Sequence, residues 1–160
     1  MLRQCAPMEY VDYTVKRLEK GVLLVSNQEG KNPNVMTISW GFIGFQWSKP
    51  VFIVPVRTER FSHPLITKTG EFVVSIQPPT MDDDANYCGT RSGRDTDKWV
   101  ERGFVPVQLP GIATPGIEQA NLHYACRVIH TASAEPLTSH TFFFGEIVGA
   151  YVDAAKNLSL

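Results

Sequence analysis

Short runs of β-branched and aromatic residues recur along the chain, separated by clusters of Gly, Pro, Asn and Asp. Such alternation of strand-forming runs and turn residues is typical of an all-β barrel or sandwich. The runs that we predict to be strands are rich in Val, Ile, Phe and Tyr, and they span residues 21–26, 35–45, 51–56, 71–76, 122–131 and 142–152. Six strands are enough to close a small barrel. The pattern therefore predicts a mainly β fold.

Two segments between the strands carry helix signals. The first begins at Ser62, a capping hydroxyl before an early proline, and ends at Gly70. The second begins near Asp95 and ends at Gly103, again with a polar residue at its start and a glycine after its end. The proline-rich stretch 105–119 predicts a loop that crosses the surface.

Length and charge narrow the function classes. A chain of 160 residues closes one hydrophobic core, so we predict a single domain, residues 1–160. Its 15 basic and 16 acidic residues form no long runs, which argues against nucleic-acid or membrane partners. Three scattered cysteines without a CxxC pair, and no apolar leader or spanning run, favour a reduced, cytoplasmic protein.

A first candidate site lies in the segment NPNVMTISWG, residues 32–41. Thr37 and Ser39 share one face of the predicted strand, whereas Met36 and Ile38 face the core. Hydroxyls and backbone amides in this position can hydrogen-bond the edge of a flat heterocycle. A Thr–Ser ladder on a solvated sheet face is the alternative interpretation.

A second candidate follows the third strand, where Arg57 and Arg60 precede the start of the first predicted helix. Free N–H groups at a helix start attract phosphate, and arginine binds its oxygens in bidentate fashion. The alternative is that both arginines are surface charges and that Ser62 is only an N-cap.

A third candidate is the loop CGTRSGRDTDK, residues 88–98, which combines glycines, hydroxyls and three cations before the second helix. Loops of this kind can cradle phosphate, although this one is not a GxxxxGK[ST] motif. A mobile polar loop without a ligand is equally compatible with the pattern.

The fourth candidate is His140, at the start of an aromatic run in the last strand. It is either a structural histidine or a hydrogen-bond donor and proton relay near a redox ring. His63, His123 and His130 show no spacing typical of metal ligands, so we expect no metal site.

Three motifs together are similar to those of the flavin reductase and flavoredoxin family of FMN-binding split barrels. They are the N-x-M-T-x-S-W strand, the SGRDxDK loop and the H-x-x-F-x-G-E-I strand, in the family's order and spacing over most of residues 20–153. The resemblance implies a six-stranded antiparallel Greek-key split β-barrel with a few short helices, and a homodimer with FMN near the subunit interface.

The resemblance also implies residue roles. His140 is expected near the reactive face, although Thr138 and Ser139 stand where relatives often carry Gly-Asp before this histidine. The cofactor-binding residues implied are Met36, Thr37, Ile38, Ser39, Pro55 and Val56 around the ring, Arg57, Ser62, Ser92, Gly93 and Lys98 around the phosphate, and Asn34 in addition.

The implied activity is that of an NAD(P)H-dependent flavin reductase, which transfers hydride from NADH or NADPH to flavin. Two alternatives remain open at this stage. One is a flavoredoxin-like electron carrier that serves a redox protein partner, and the other is a flavin-free β-barrel binding module.

Overall fold

The computed structural model describes residues 1–156 and 158, and in this part the chain forms ten strands and four α-helices. The strands are β1 Leu2–Cys5, β2 Val22–Ser26, β3 Asn34–Ile38, β4 Phe42–Gln46, β5 Lys49–Arg57, β6 Glu71–Ile76, β7 Pro106–Val107, β8 Gly116–Ile117, β9 Leu122–Ser133 and β10 His140–Asp153. The helices are α1 Val11–Lys20, α2 Ser62–Thr69, α3 Asp82–Thr90 and α4 Lys98–Arg102, with a 3₁₀ turn at Pro79–Met81.

Eight strands form one antiparallel sheet in the order β3-β2-β6-β9-β10-β5-β4, with β1 paired to the end of β10. β10 is the longest strand and pairs with both β5 and β9, across two irregularities in its register with β9. The predicted mainly β, antiparallel fold class is confirmed, with eight strands in the sheet instead of the six that were predicted. The described residues include no helix long and apolar enough to cross a membrane.

The sheet wraps around a central core to which six strands contribute. Because side chains alternate along a strand, every second residue of these strands points inward. The buried inward residues are Val22, Leu24, Ile38, Phe52, Val54, Val56, Phe72, Val74, Ile76, Leu122, Tyr124, Cys126, Phe143 and Ile147. A second cluster forms where α3, α4 and the 104–117 segment cover the outer face of β2, β3 and β6. β3 therefore packs on both faces, against the central core through Ile38 and against the second cluster through Val35.

The predicted strand 35–45 is wrong in one respect, because it is two strands separated by a bend at residues 39–41. A Cβ at Gly41 would lie 2.8 Å from the carbonyl oxygen of Ile53, so the chain crosses β5 closely at this point. The bend directs β4 to the edge of the sheet, next to β5.

The helices also differ from the predictions. α1 and α3 are absent from the sequence interpretation, and α4 begins at Lys98, capped by Asp97, rather than near Asp95. Ser62 is the first residue of α2 and is not its N-cap, since that position is Phe61. The stretch 105–119 is irregular except for the β7–β8 pair.

Candidate functional site

Two adjoining cavities lie along β3, the larger at its carboxyl end, beside the end of β5 and the start of β10, and the smaller towards its first residue. The larger has a volume of about 620 Å³ and is lined by Met36, Thr37, Ile38, Ser39, Trp40, Pro55, Arg57, Glu59, Arg60 and His140. The smaller, of about 220 Å³, is lined by residues of β3, α2 and the 88–98 segment, including Asn34, Ser62, Ser92, Gly93 and Lys98. The cavities share Met36, Thr37, Glu59 and Arg60, so they adjoin along one wall, and together they are called the groove.

Strand register explains why distant residues meet in the larger cavity. His140 at the start of β10 is the antiparallel partner of Arg57 at the end of β5. Phe142 pairs in the same way with Pro55. Three of the four candidates from the sequence, the β3 segment, the arginine turn and His140, thus line one cavity.

Thr37 connects the groove to α3. The Thr37 hydroxyl donates a hydrogen bond to the carbonyl oxygen of Ala85 in α3. β3 and α3 are in close contact, because a Cβ added to Gly89 would lie 3.3 Å from the Cβ of Thr37. The hydroxyl is therefore engaged within the chain, whereas Ser39 is exposed at the same cavity. The sequence interpretation missed this anchor because α3 was not predicted and because the acceptor is a backbone group.

His140 is held in one orientation beside the larger cavity. Its Nδ1 lies 2.8 Å from the hydroxyl of Thr138, and its ring centroid lies 5.7 Å from that of Trp40. Burial, and then the nearby Arg57 charge, lower the pKa of this imidazole below its ordinary value. His140 is consequently neutral at physiological pH and offers a hydrogen-bonding ring without a positive charge.

Lys98 brings a buried charge to the smaller cavity. Its side chain is only 3% exposed, and its ammonium donates to the carbonyl oxygens of Val35 at 2.6 Å and Cys88 at 2.9 Å. Burial lowers the pKa of this ammonium. No carboxylate in the described part of the chain lies within ion-pair distance of it, so the charge lacks a counterion.

The predicted 88–98 loop is shorter in the structure, because residues 88–90 end α3 and Lys98 begins α4, and the remaining 91–97 loop packs tightly against the start of α2. Asn34 donates its side-chain amide to the Ser62 hydroxyl at 2.8 Å, and Ser92 accepts the backbone N–H of Arg94 at 3.2 Å. A Cβ at Gly93 would lie 2.1 Å from the amide oxygen of Asn34. Only glycine fits here without displacing its neighbours, and the loop is thereby kept close to Lys98.

Two expected cofactor residues take other positions. Val56 is fully buried in the central core and lines neither cavity. Arg57, expected at the phosphate, lines the larger cavity and not the smaller. Trp40 and Glu59 line the groove but were not predicted as site residues, although Trp40 belongs to the N-x-M-T-x-S-W motif.

The chain is similar to known proteins in both sequence and fold. Residues 15–160 match the family described as flavin reductase like domain. An uncharacterised protein of Archaeoglobus fulgidus is 31% identical over 126 residues, which are 79% of this chain and 68% of that protein.

Solved structures of flavoredoxins are similar to this chain. That of Desulfovibrio vulgaris (Miyazaki F) has a TM-score of 0.76 and 26% identity, covering 84% of this chain and 70% of its own. That of Methanosarcina acetivorans has a TM-score of 0.74 and 29% identity, covering 84% and 68%. An FMN-binding protein from Thermus thermophilus with bound cyclohexenone has a TM-score of 0.70 and 25% identity, covering 81% and 68%.

Proposed function

Because the chain belongs to the flavin reductase like domain family, we propose that it binds FMN without a covalent bond and acts as an NAD(P)H-dependent flavin reductase. The observation that carries this proposal is the groove formed by two adjoining cavities, with a wide compartment at one end and a buried, uncompensated ammonium at the other. A flat ring with a phosphate tail has the matching shape and charge.

The residues of the groove fit such a ligand. The larger cavity lies within the roughly 300–1,000 Å³ usual for small-molecule sites. In the smaller cavity, Lys98 uses two N–H groups on backbone carbonyls, which leaves a third for an anion. A phosphate here supplies the counterion that the protein does not, since a buried charge is costly unless it is paired.

Each part of the groove then has a role. Lys98, Ser92 and the Gly93 backbone hold the phosphate, and Arg60, which lines both cavities, lies between phosphate and ring. The backbone of residues 36–39 and Pro55 border the ring, while His140 and Trp40 bound its open side. A bound flavin supplies the hydride acceptor and electron relay that the side chains lack.

The test is a visible spectrum of the purified protein before and after dialysis, followed by titration of the colourless protein with FMN. We expect flavin absorbance, or its recovery on titration with one FMN per chain. A protein that stays colourless and does not perturb the FMN spectrum would instead be a flavin-free binding module.

Electron carriage is the second candidate, because two of the similar structures are flavoredoxins. The same groove serves both functions. The two are separated by oxidation of NADH and NADPH in the presence of added FMN. A reductase consumes the dinucleotide steadily, whereas a carrier for a redox protein partner shows almost no turnover.

We further propose that the protein is a homodimer joined through an aromatic edge, defined as Phe42, Phe45 and Trp47 on and beside β4. These side chains are 65%, 72% and 54% exposed, on an edge strand with unpaired backbone groups. Exposed aromatic side chains along a free strand edge mark interaction sites, and here they stand on both faces of that edge. β4 follows directly from the groove, so a second copy there would cover the open side.

Light scattering after size-exclusion chromatography tests the dimer. The native chain should elute with twice the mass of one chain, and Phe45→Glu should halve that mass. Val100→Glu is the matched control, because Val100 is 70% exposed on α4, away from the aromatic edge. An unchanged mass for Phe45→Glu would rule out this interface.

A further inference from the structure

Arg57 is a cation without a partner in the larger cavity. Its side chain is exposed, and it makes no hydrogen bond or ion pair with any side chain or carbonyl of residues 1–156. The one carboxylate on the same cavity wall belongs to Glu59, which accepts a hydrogen bond from Ser139 at 2.8 Å. Glu59 is thus directed to the β9–β10 turn: it attracts Arg57 through space but forms no ion pair with it, so the guanidinium N–H groups of Arg57 remain available.

The phosphate compartment does not need Arg57. The smaller cavity already contains Lys98, together with Arg60, Arg91 and Arg94, and Arg57 does not reach it. Cations therefore lie at both ends of the groove, Arg57 at one end and Lys98 at the other, with Arg60 between them. A single phosphate-tailed flavin occupies one of them and leaves the other unused.

The neighbours of Arg57 are those expected around a reacting partner of the ring. Arg57 is the register partner of His140 and shares a cavity wall with Pro55 and Trp40. The side chain of Trp40 is 64% exposed, and its flat face is available for stacking. The same end of the groove thus offers an aromatic surface, a neutral imidazole and a permanent positive charge.

We propose that Arg57 recognises an oxyanion on the second substrate, the molecule that exchanges electrons with the flavin, and so makes the enzyme selective for anionic redox partners. This inference depends on the proposed function. The oxyanion is a phosphate if it belongs to the electron donor, and a carboxylate or sulfonate if it belongs to an aromatic acceptor. Guanidinium binds all three through paired N–H groups.

The experiment compares matched anionic and neutral substrates on flavin-loaded protein without oxygen. NADPH and NADH are compared with uncharged N-benzyl dihydronicotinamide as donors, by the loss of visible flavin absorbance. Naphthoquinone sulfonate and naphthoquinone are compared as electron acceptors, by the rate at which the visible flavin absorbance returns. For Arg57→Ala, the anionic-to-neutral rate ratio should fall by about 10-fold to about 100-fold in one pair, as expected for one charged hydrogen bond.

Lys16→Gln is the control, because it makes the same change in net charge on the exposed face of α1. A fall confined to the donor pair assigns the oxyanion to the donor, and a fall confined to the acceptor pair assigns it to the acceptor. An unchanged ratio in both pairs overturns the inference. So does loss of FMN itself from Arg57→Ala, because Arg57 would then hold the flavin phosphate. A native protein that binds no FMN refutes the proposed function as well.

Discussion

Replacing Lys98 by Met removes the charge at the smaller cavity while keeping a long, unbranched side chain. The size of the effect follows from burial. An exposed lysine contributes less than about 1 kcal/mol to an ion pair, whereas truncating a buried, hydrogen-bonded charge costs about 2–5 kcal/mol. At 3% exposure Lys98 belongs to the second class. At tenfold per 1.4 kcal/mol, the FMN dissociation constant should rise by about 30-fold to about 4,000-fold.

The assay is quenching of FMN fluorescence on titration with colourless protein. Thermal unfolding of the same sample shows that the variant folds, which we expect because the substitution also removes a desolvated charge. Lys31→Met is the control, since Lys31 is exposed on a neighbouring loop and its loss should change the affinity only about twofold. A folded Lys98→Met protein that binds FMN as tightly as this control would refute the phosphate assignment.

The pH dependence of FMN affinity is an independent test of the contact between Lys98 and the flavin phosphate. Burial lowers the pKa of Lys98 in the flavin-free protein, and a bound phosphate raises it again. Above the lowered pKa, binding must therefore take up a proton, and FMN affinity falls as the pH rises. Lys98→Met should lose this alkaline decline.

Three further substitutions test other parts of the structure. Asp82→Asn leaves the buried Arg17 cation without its partner and should cost about 1–3 kcal/mol in chemical unfolding, less than a fully buried pair because Asp82 is half-exposed; Asp83→Asn, in the same turn, should cost little. Burial lowers the pKa of His123 to about 3, far below the ordinary pKa of a histidine side chain. The folded protein therefore loses stability as the pH falls from that ordinary pKa towards 3. His123→Gln should flatten this slope by up to about 1.4 kcal/mol per pH unit in urea titrations, unlike exposed His130→Gln, and parallel slopes would contradict the assignment. Gly93→Ala should weaken FMN binding by about tenfold or more, because its Cβ would collide with Asn34. Gly44→Ala, where a Cβ meets no atom within 4 Å, should bind FMN normally.

Much of the sheet was predictable because period-two alternation is a local property of the chain. β6 spans the predicted residues, and the predicted strands at β2, β5, β9 and β10 differ only at their ends. The break between β3 and β4 was not predictable, since it depends on how closely Gly41 passes the Ile53 carbonyl from another strand. α1 was missed although Tyr13, Thr14, Arg17 and Leu18 place its buried face at helical spacing.

The sequence by itself determined the β-rich pattern, the β3 motif, the cationic loop and the histidine at the start of β10, because these depend on residue type and spacing alone. The tertiary structure decided how they meet. Antiparallel register set His140 beside Arg57, packing buried Lys98 against two carbonyls, and α3 engaged the hydroxyl of Thr37. Such contacts join residues far apart in the chain, and their geometry arises only when the whole sheet closes around its core.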